Sequence, residues 1–185
     1  MAWVSAQVGD VFLFTASLAL IGALLGFLVW NWPAGRIFLG DGGAYLLGFL
    51  LAELSVLMVV RNPQVTPWFP FALLIYPVFE TLFSIYRRKF LRGHGAMRPD
   101  ALHLHQIIYA RVVRHGVGSR DPHDRLMRNS RVAPYLWALN AVGAVWAGVF
   151  WQSRPALVAG ILGFCLFYLL AYRQIVSWRV PRWVG

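Results

Sequence analysis

From Val11 to Trp30 the chain runs for 20 residues without one charged side chain. A helix that crosses the hydrocarbon core of a bilayer needs about 20 mostly apolar residues. Inside that core only a helix or a closed barrel satisfies its own backbone polar groups. This feature restricts the chain to a helical membrane fold, and it recurs. Gly43–Val60 carries a single charge, Glu53, and Pro67–Tyr86 carries a single charge, Glu80. Pro134–Trp151 and Pro155–Tyr172 carry none. Pro67, Pro134 and Pro155 suit helix starts, where a missing N–H costs nothing. Only Gln152, Ser153 and Arg154 separate the last two runs, which predicts an antiparallel helical hairpin. The expected fold is all-α: a polytopic integral membrane protein with about five transmembrane helices. It forms a single membrane domain over residues 1–185, with no repeat.

Charge orients these spans. The net charge is +10, and 11 of the 17 Lys/Arg residues, with all five histidines, lie in the polar segment 87–131. Cytoplasmic loops collect Lys and Arg, so this long basic loop faces the cytoplasm. Counting across the spans puts Arg61 and Arg154 outside and the segment 31–42 on the same cytoplasmic face as the loop. Basic charge lying between apolar runs points to a membrane and away from nucleic acid. Charged residues make up 13% of the chain, against about a quarter in soluble domains. Residues 1–10 contain no Lys or Arg, so the basic start of a cleavable signal peptide is missing. Cys165 stands alone and reads as a small apolar side chain in a helix. Gly22 and Gly26 form a GxxxG, which lets a neighbouring helix approach closely.

Two polar segments on the shared face carry chemistry. In the first, Asn31 leads through Gly35, Arg36 and Gly40 to Asp41, Gly42 and Gly43, at the mouth of the second span. The first N–H groups of a helix are unpaired and its dipole is positive there. Gly42 and Gly43 let backbone approach a phosphate, and Asp41 beside them suits Mg²⁺, which takes one or two carboxylates plus substrate phosphates. The competing reading of Asp41 is a plain helix cap. The second segment runs through Pro99, Asp100, His103, His105 and Gln106. In extended chain the two histidines point the same way; zinc needs three or four ligands, and no third is evident. Phosphate or nucleotide contact, helped by Arg87, Arg88 and Lys89, stands against a solvated basic loop. Glu80 and Glu53 are ionisable groups within spans, which are functional candidates by default. Glu80 lies close enough to the cytoplasmic end to reach a cavity there, and Glu53 is deeper, protonated or paired with a neighbouring helix. His94, His115 and His123 read as loop residues.

Asn31, then Ala34 to Arg36, Phe38, Gly40 to Gly43, leading into Leu47 and Gly48, resembles a motif of the polyprenyl-phosphate N-acetylhexosamine-1-phosphate transferase superfamily, glycosyltransferase family 4. Pro77 with Glu80, then Arg87 and Arg88, then Pro99, Asp100, His103 and His105, is similar to the family's next motif in order and spacing. The resemblance covers about residues 11–115, and the last two helices by topology alone. It implies transfer of a sugar-1-phosphate from a UDP-sugar to a polyprenyl phosphate lipid with release of UMP, at the start of cell-wall or polysaccharide synthesis. It implies a multi-pass protein of the bacterial inner membrane with its site on the cytoplasmic face. It implies Asp41 as ligand of Mg²⁺, with Mn²⁺ as a substitute ion. His103 and His105 would belong to a loop closing over nucleotide or diphosphate and would share the catalytic role with Asp41. Asn31, Gly42, Gly43, Glu80, Arg87, Arg88 and Asp100 would contact substrate.

The sequence also departs from the family. Gln106 fills the place of a second histidine, Ala44 replaces a common serine, and Glu80 stands where Asp is frequent. The family's Asp-Asp motif and a later Asn/Asp-rich motif have no counterpart, so the chain resembles the C-terminal portion. A competing expectation is a noncatalytic or incomplete relative that keeps the fold and binds lipid phosphate, nucleotide or a partner membrane chain. That partner would be a second copy in a homodimer or a complementing N-terminal half. By this reading the 185 residues alone make a poor transferase, and Asp41 approaches the His103/His105 segment, with Glu80 behind.

Overall fold

A computed structural model describes residues 1–87, 89, 108 and 130–177 of the chain, and side chains within these as far as Ile175. Among the described residues every regular element is helical: α1 (Ala2–Val8), α2 (Val11–Asn31), α3 (Gly40–Arg61), α4 (Trp68–Leu73), α5 (Ile75–Tyr86), α6 (Ala133–Val149) and α7 (Arg154–Ser177). The all-α membrane reading holds. Three of these, α2, α3 and α7, are long and apolar enough to cross a bilayer. The expected third span is instead two helices, broken at Leu74. Pro77 explains the break: it has no N–H to offer the Leu73 carbonyl four residues back, and its ring crowds that carbonyl. The expected fourth span is a helix of 17 residues.

The chain falls into two compact units, Met1–Leu73 with Ala144–Gly160, and Leu74–Gly143 with Ile161–Gly185. In the first unit, Gly9 ends α1 in the left-handed region (φ 74°). Its N–H reaches the Ala6 carbonyl and the Asp10 N–H reaches the Ser5 carbonyl, the paired bonds of a Schellman cap. Asp10 then starts α2 at once, its Oδ1 accepting from the Leu13 N–H at 3.1 Å. The same carboxylate accepts from Arg61 Nε at 2.8 Å and from Asn62 Nδ2 at 3.4 Å. Arg61 closes α3, so the end of α3 meets the start of α2 and the two helices form an antiparallel hairpin. The Arg61 bond, the Leu13 N–H and Asn62 together hold the Asp10 carboxyl down at about 2. Leu13, Leu54, Met58, Val65 and Phe69 are buried in this unit, at or near the Asp10 end of the hairpin.

In the unit's α6–α7 hairpin, Trp146 Nε1 donates to the Ala156 carbonyl at 3.0 Å. Gly160 lies directly under that indole, in space a Cβ would have to share with the ring.

The second unit has an aromatic core. Phe79 and Phe83, four apart on α5, pack edge-to-face on Tyr168 and Tyr172, four apart on α7, with centroids 5.1 and 5.0 Å apart. Residues four apart share a helix face, and edge-to-face contacts contribute roughly 0.5–1.5 kcal/mol each beyond area burial. Contacts advance in the same order on both helices, so α5 and α7 run in the same direction. Ile108, Val132 and Tyr168 are the buried centre of this cluster.

Candidate functional site

The far end of the α2–α3 hairpin is built differently from the Asp10 end. Helix α2 ends with Trp32 N–H on the Leu28 carbonyl, Gly35 N–H on the Asn31 carbonyl and Arg36 N–H on the Trp30 carbonyl. Gly35 adopts φ 59° to make this turn, a conformation that L side chains resist. Asn31 Nδ2 donates to the Ile37 carbonyl at 2.8 Å, tying the end of α2 across the connector. This gives Asn31 a loop-holding bond in addition to the substrate contact that the resemblance implies. Gly40, at φ 67°, turns the chain into α3.

Asp41 follows in the first turn of α3. It is not the cap: Leu39 occupies that position, and no side chain caps the helix. Asp41 is exposed, and among the described residues its carboxylate makes no hydrogen bond or ion pair. A plain capping role therefore does not account for it. Gly42 faces open space, whereas the space beside Gly43 is filled by the Leu39 side chain. Of the pair Gly42 and Gly43, Gly42 thus keeps an open approach to the backbone. Residues 36–42 are all exposed. At the rise of an α-helix, Asp41 lies roughly 30 Å along α3 from Arg61, so the uncovered acid and the buried Asp10 knot occupy opposite ends of one hairpin.

Asp41 is a hard oxygen donor and fits Mg²⁺, which keeps waters and fills its shell with substrate phosphates. Among the described residues no three His, Cys, Asp or Glu side chains gather to hold a metal ion. Among the described residues the donor set fits a metal shared with substrate.

Glu80 and Arg87 belong to the second unit. Glu80 accepts a hydrogen bond from the Tyr168 hydroxyl. Arg87, 4% exposed, donates from Nη1 to the Tyr172 hydroxyl at 2.7 Å. Its guanidinium lies 5.3 Å from the Tyr172 ring centre and 5.7 Å from that of Phe83. Arg87 is thus held in an aromatic sandwich. Glu53 is exposed on α3, and no neighbouring helix pairs with it among the described residues. Arg88, Asp100, His103 and His105 lie outside the described residues, and so does the expected approach of the histidines to Asp41.

Two sets of residues escaped the sequence reading. Asp10 and Asn62 are one such set, and the Gly9–Asp10 pair between two helical runs is the signal the sequence offers for it. Tyr168 and Tyr172 were read as part of an apolar span, although their spacing of four matches that of Phe79 and Phe83.

The profile of glycosyl transferase family 4 matches residues 1–59, which hold α1, α2, the connector and Asp41. An undecaprenyl-phosphate alpha-N-acetylglucosaminyl 1-phosphate transferase of Haemophilus influenzae is 29% identical over 178 residues, covering 91% of this chain and 45% of the relative. A decaprenyl-phosphate N-acetylglucosaminephosphotransferase of Mycolicibacterium smegmatis is 30% identical over 169 residues, covering 83% of this chain and 38% of the relative. A probable undecaprenyl-phosphate N-acetylglucosaminyl 1-phosphate transferase of Bacillus subtilis is 34% identical over 103 residues, 55% of this chain and 28% of the relative. The chain spans less than half the length of these curated relatives. No solved structure matches it. The profile match over residues 1–59 and the likeness to these transferases support the resemblance to glycosyl transferase family 4 that the motifs carry.

Proposed function

We propose that the chain takes part in transferring an N-acetylhexosamine-1-phosphate from a UDP-sugar to a polyprenyl phosphate, with release of UMP. The observation that carries this is Asp41: an exposed carboxylate, bonded to nothing among the described residues, in the uncapped first turn of a long apolar helix. The relatives' names supply the donor class of sugar and the lipid acceptor. A membrane site suits both substrates, since one arrives through the bilayer and the other through water. By the charge pattern this end of the hairpin faces the cytoplasm of a bacterial plasma membrane.

In the reaction, an oxygen of the lipid phosphate attacks the phosphorus that bears the sugar. The bond from that phosphorus to the bridging oxygen breaks, and the oxygen leaves with UMP. Both reactants are anions, so charge neutralisation and placement are the main catalytic needs. Asp41 would hold Mg²⁺, which would supply positive charge to offset that of the phosphates. The unpaired N–H groups of the first turn of α3 donate hydrogen bonds to phosphate oxygens, with Gly42 leaving the approach open. Asn31 keeps the connector in place by its bond to Ile37. Arg87 contributes a fixed positive charge just after α5, Arg88 adds a second, and Glu80 is held by the Tyr168 hydroxyl. By the family resemblance, His103 and His105 contribute to catalysis at the nucleotide or diphosphate, and Asp100 contacts substrate.

A second reading, binding without turnover, has its own observation. Asp41 is the sole acidic residue of the 31–43 segment, and the next acid along α3 is Glu53. The test is UMP release from UDP-N-acetylglucosamine with undecaprenyl phosphate and Mg²⁺ in bilayers. Release that requires all three components supports the transferase. Saturable UDP-sugar binding with no release supports the second reading, and neither binding nor release refutes both.

A further inference from the structure

Two tyrosines of α7 place their hydroxyls on Glu80 of α5 and on Arg87, which caps it. Tyr168 meets Glu80, and Tyr172 meets Arg87. Ring packing does not require those hydroxyls. Phe79, Phe83 and Phe164 build the same cluster with bare rings, so phenylalanine would fill both positions. What the hydroxyls add is a directional polar contact to an acid and one to a cation. The registers match. Glu80 and Arg87 are seven residues apart, about 10 Å along α5, and Tyr168 and Tyr172 about 6 Å along α7. Side chains lean toward the helix N-terminus, so Arg87 reaches back over Phe83 and closes the difference. The guanidinium then lies between two rings and is bonded to the Tyr172 hydroxyl.

We infer that Tyr168 and Tyr172 are positioning residues: α7 holds the Glu80 carboxylate and the Arg87 guanidinium in the orientation the reaction uses. The inference rests on the proposed reading of Glu80 and Arg87 as part of the transfer site. It assigns a role to the C-terminal helix, which the family motifs do not reach.

Tyr172→Phe and Tyr168→Phe each delete one oxygen and keep the ring. The first readout needs no turnover. In nanodiscs, Arg87 is modified with the arginine reagent p-hydroxyphenylglyoxal, and the adduct at that residue is followed by mass spectrometry. Wild-type Arg87, buried and bonded, reacts slowly; Tyr172→Phe raises its rate at least about threefold with an unchanged melting temperature. Unchanged reactivity overturns the inference. The second readout is steady-state transfer. Tyr172→Phe raises KM for UDP-N-acetylglucosamine about three- to tenfold and leaves kcat within about twofold. In an Arg87→Ala background the same change has no further effect, because the tyrosine acts through the arginine. Tyr168→Phe behaves likewise against Glu80→Gln. Additive effects in these pairs overturn the inference. A raised KM in Arg87→Ala with a normal KM in Tyr172→Phe overturns the inference alone. Wild-type kinetics in Arg87→Ala overturns the functional reading of Arg87, and the inference with it.

Discussion

Replacing Asp10 with alanine removes three contacts made by one side chain, to Leu13, Arg61 and Asn62. The cap on Leu13 contributes about 1 kcal/mol, the usual cost of alanine at such a position. The Arg61 bond is the smaller part, because the Arg61 side chain is 48% exposed and its charge is screened by water. Asp10→Asn separates the two: it keeps an oxygen for the Leu13 N–H and loses the charge. The Arg61 bond, with the Leu13 N–H, lowers the carboxyl from 3.8 to about 2. A lowered acid contributes stability that is complete above its unfolded value and is lost as pH falls through the folded one. The charge-dependent part is therefore constant above about 3.8 and disappears between there and about 2. Unfolding by SDS in mixed micelles, followed by tryptophan fluorescence, measures it. At neutral pH, Asp10→Ala loses about 1 kcal/mol or somewhat more, and Asp10→Asn loses less. On acidification, wild type converges toward Asp10→Asn. A wild-type curve for Asp10→Ala, or a gap between wild type and Asp10→Asn that widens in acid, refutes the reasoning.

Gly160→Ala drives a methyl group into the Trp146 ring. Overpacking of this kind costs about 1–3 kcal/mol, which the better helix propensity of alanine, about 1 kcal/mol, offsets only in part. The same unfolding assay reads the loss, and Trp146→Ala in the same chain relieves it; a loss unchanged in the double variant would assign it to something other than the ring. Asn31→Ala removes the bond to the Ile37 carbonyl. Amide exchange over residues 35–40 then accelerates while exchange in the buried half of α3 does not, and equal acceleration in both would show that Asn31 supports the whole hairpin.

The apolar runs made α2, α3 and α7 legible, because hydrocarbon leaves the backbone few choices. The break between α4 and α5 was less so. Pro67–Tyr86 is apolar throughout, and hydropathy does not register that Pro77 lies where the helix needs a donor for Leu73. Asp41 could be found from its setting among glycines, but its exposure could not. Both the cap and the metal reading predict an acid at a helix start; they differ in whether the carboxylate is bonded, a matter of three-dimensional placement. Glu80 and Arg87 were marked as charges in or beside a span, yet their partners lie some 85 to 88 residues further along the chain. Periodicity within one helix carries no information about which distant helix it meets. The Asp10–Arg61 pair was hidden for the same reason, at a separation of 51 residues.

Because the Asp41 carboxylate is exposed and bonded to nothing among the described residues, its removal separates function from folding. The decisive measurement compares wild type and Asp41→Asn, in the protein purified from its host membrane, for UMP release from UDP-N-acetylglucosamine and undecaprenyl phosphate across a Mg²⁺ titration. The account predicts that Asp41→Asn releases no UMP at any Mg²⁺ concentration while its unfolding free energy stays within about 0.5 kcal/mol of wild type. Wild-type turnover and Mg²⁺ dependence in Asp41→Asn would contradict it.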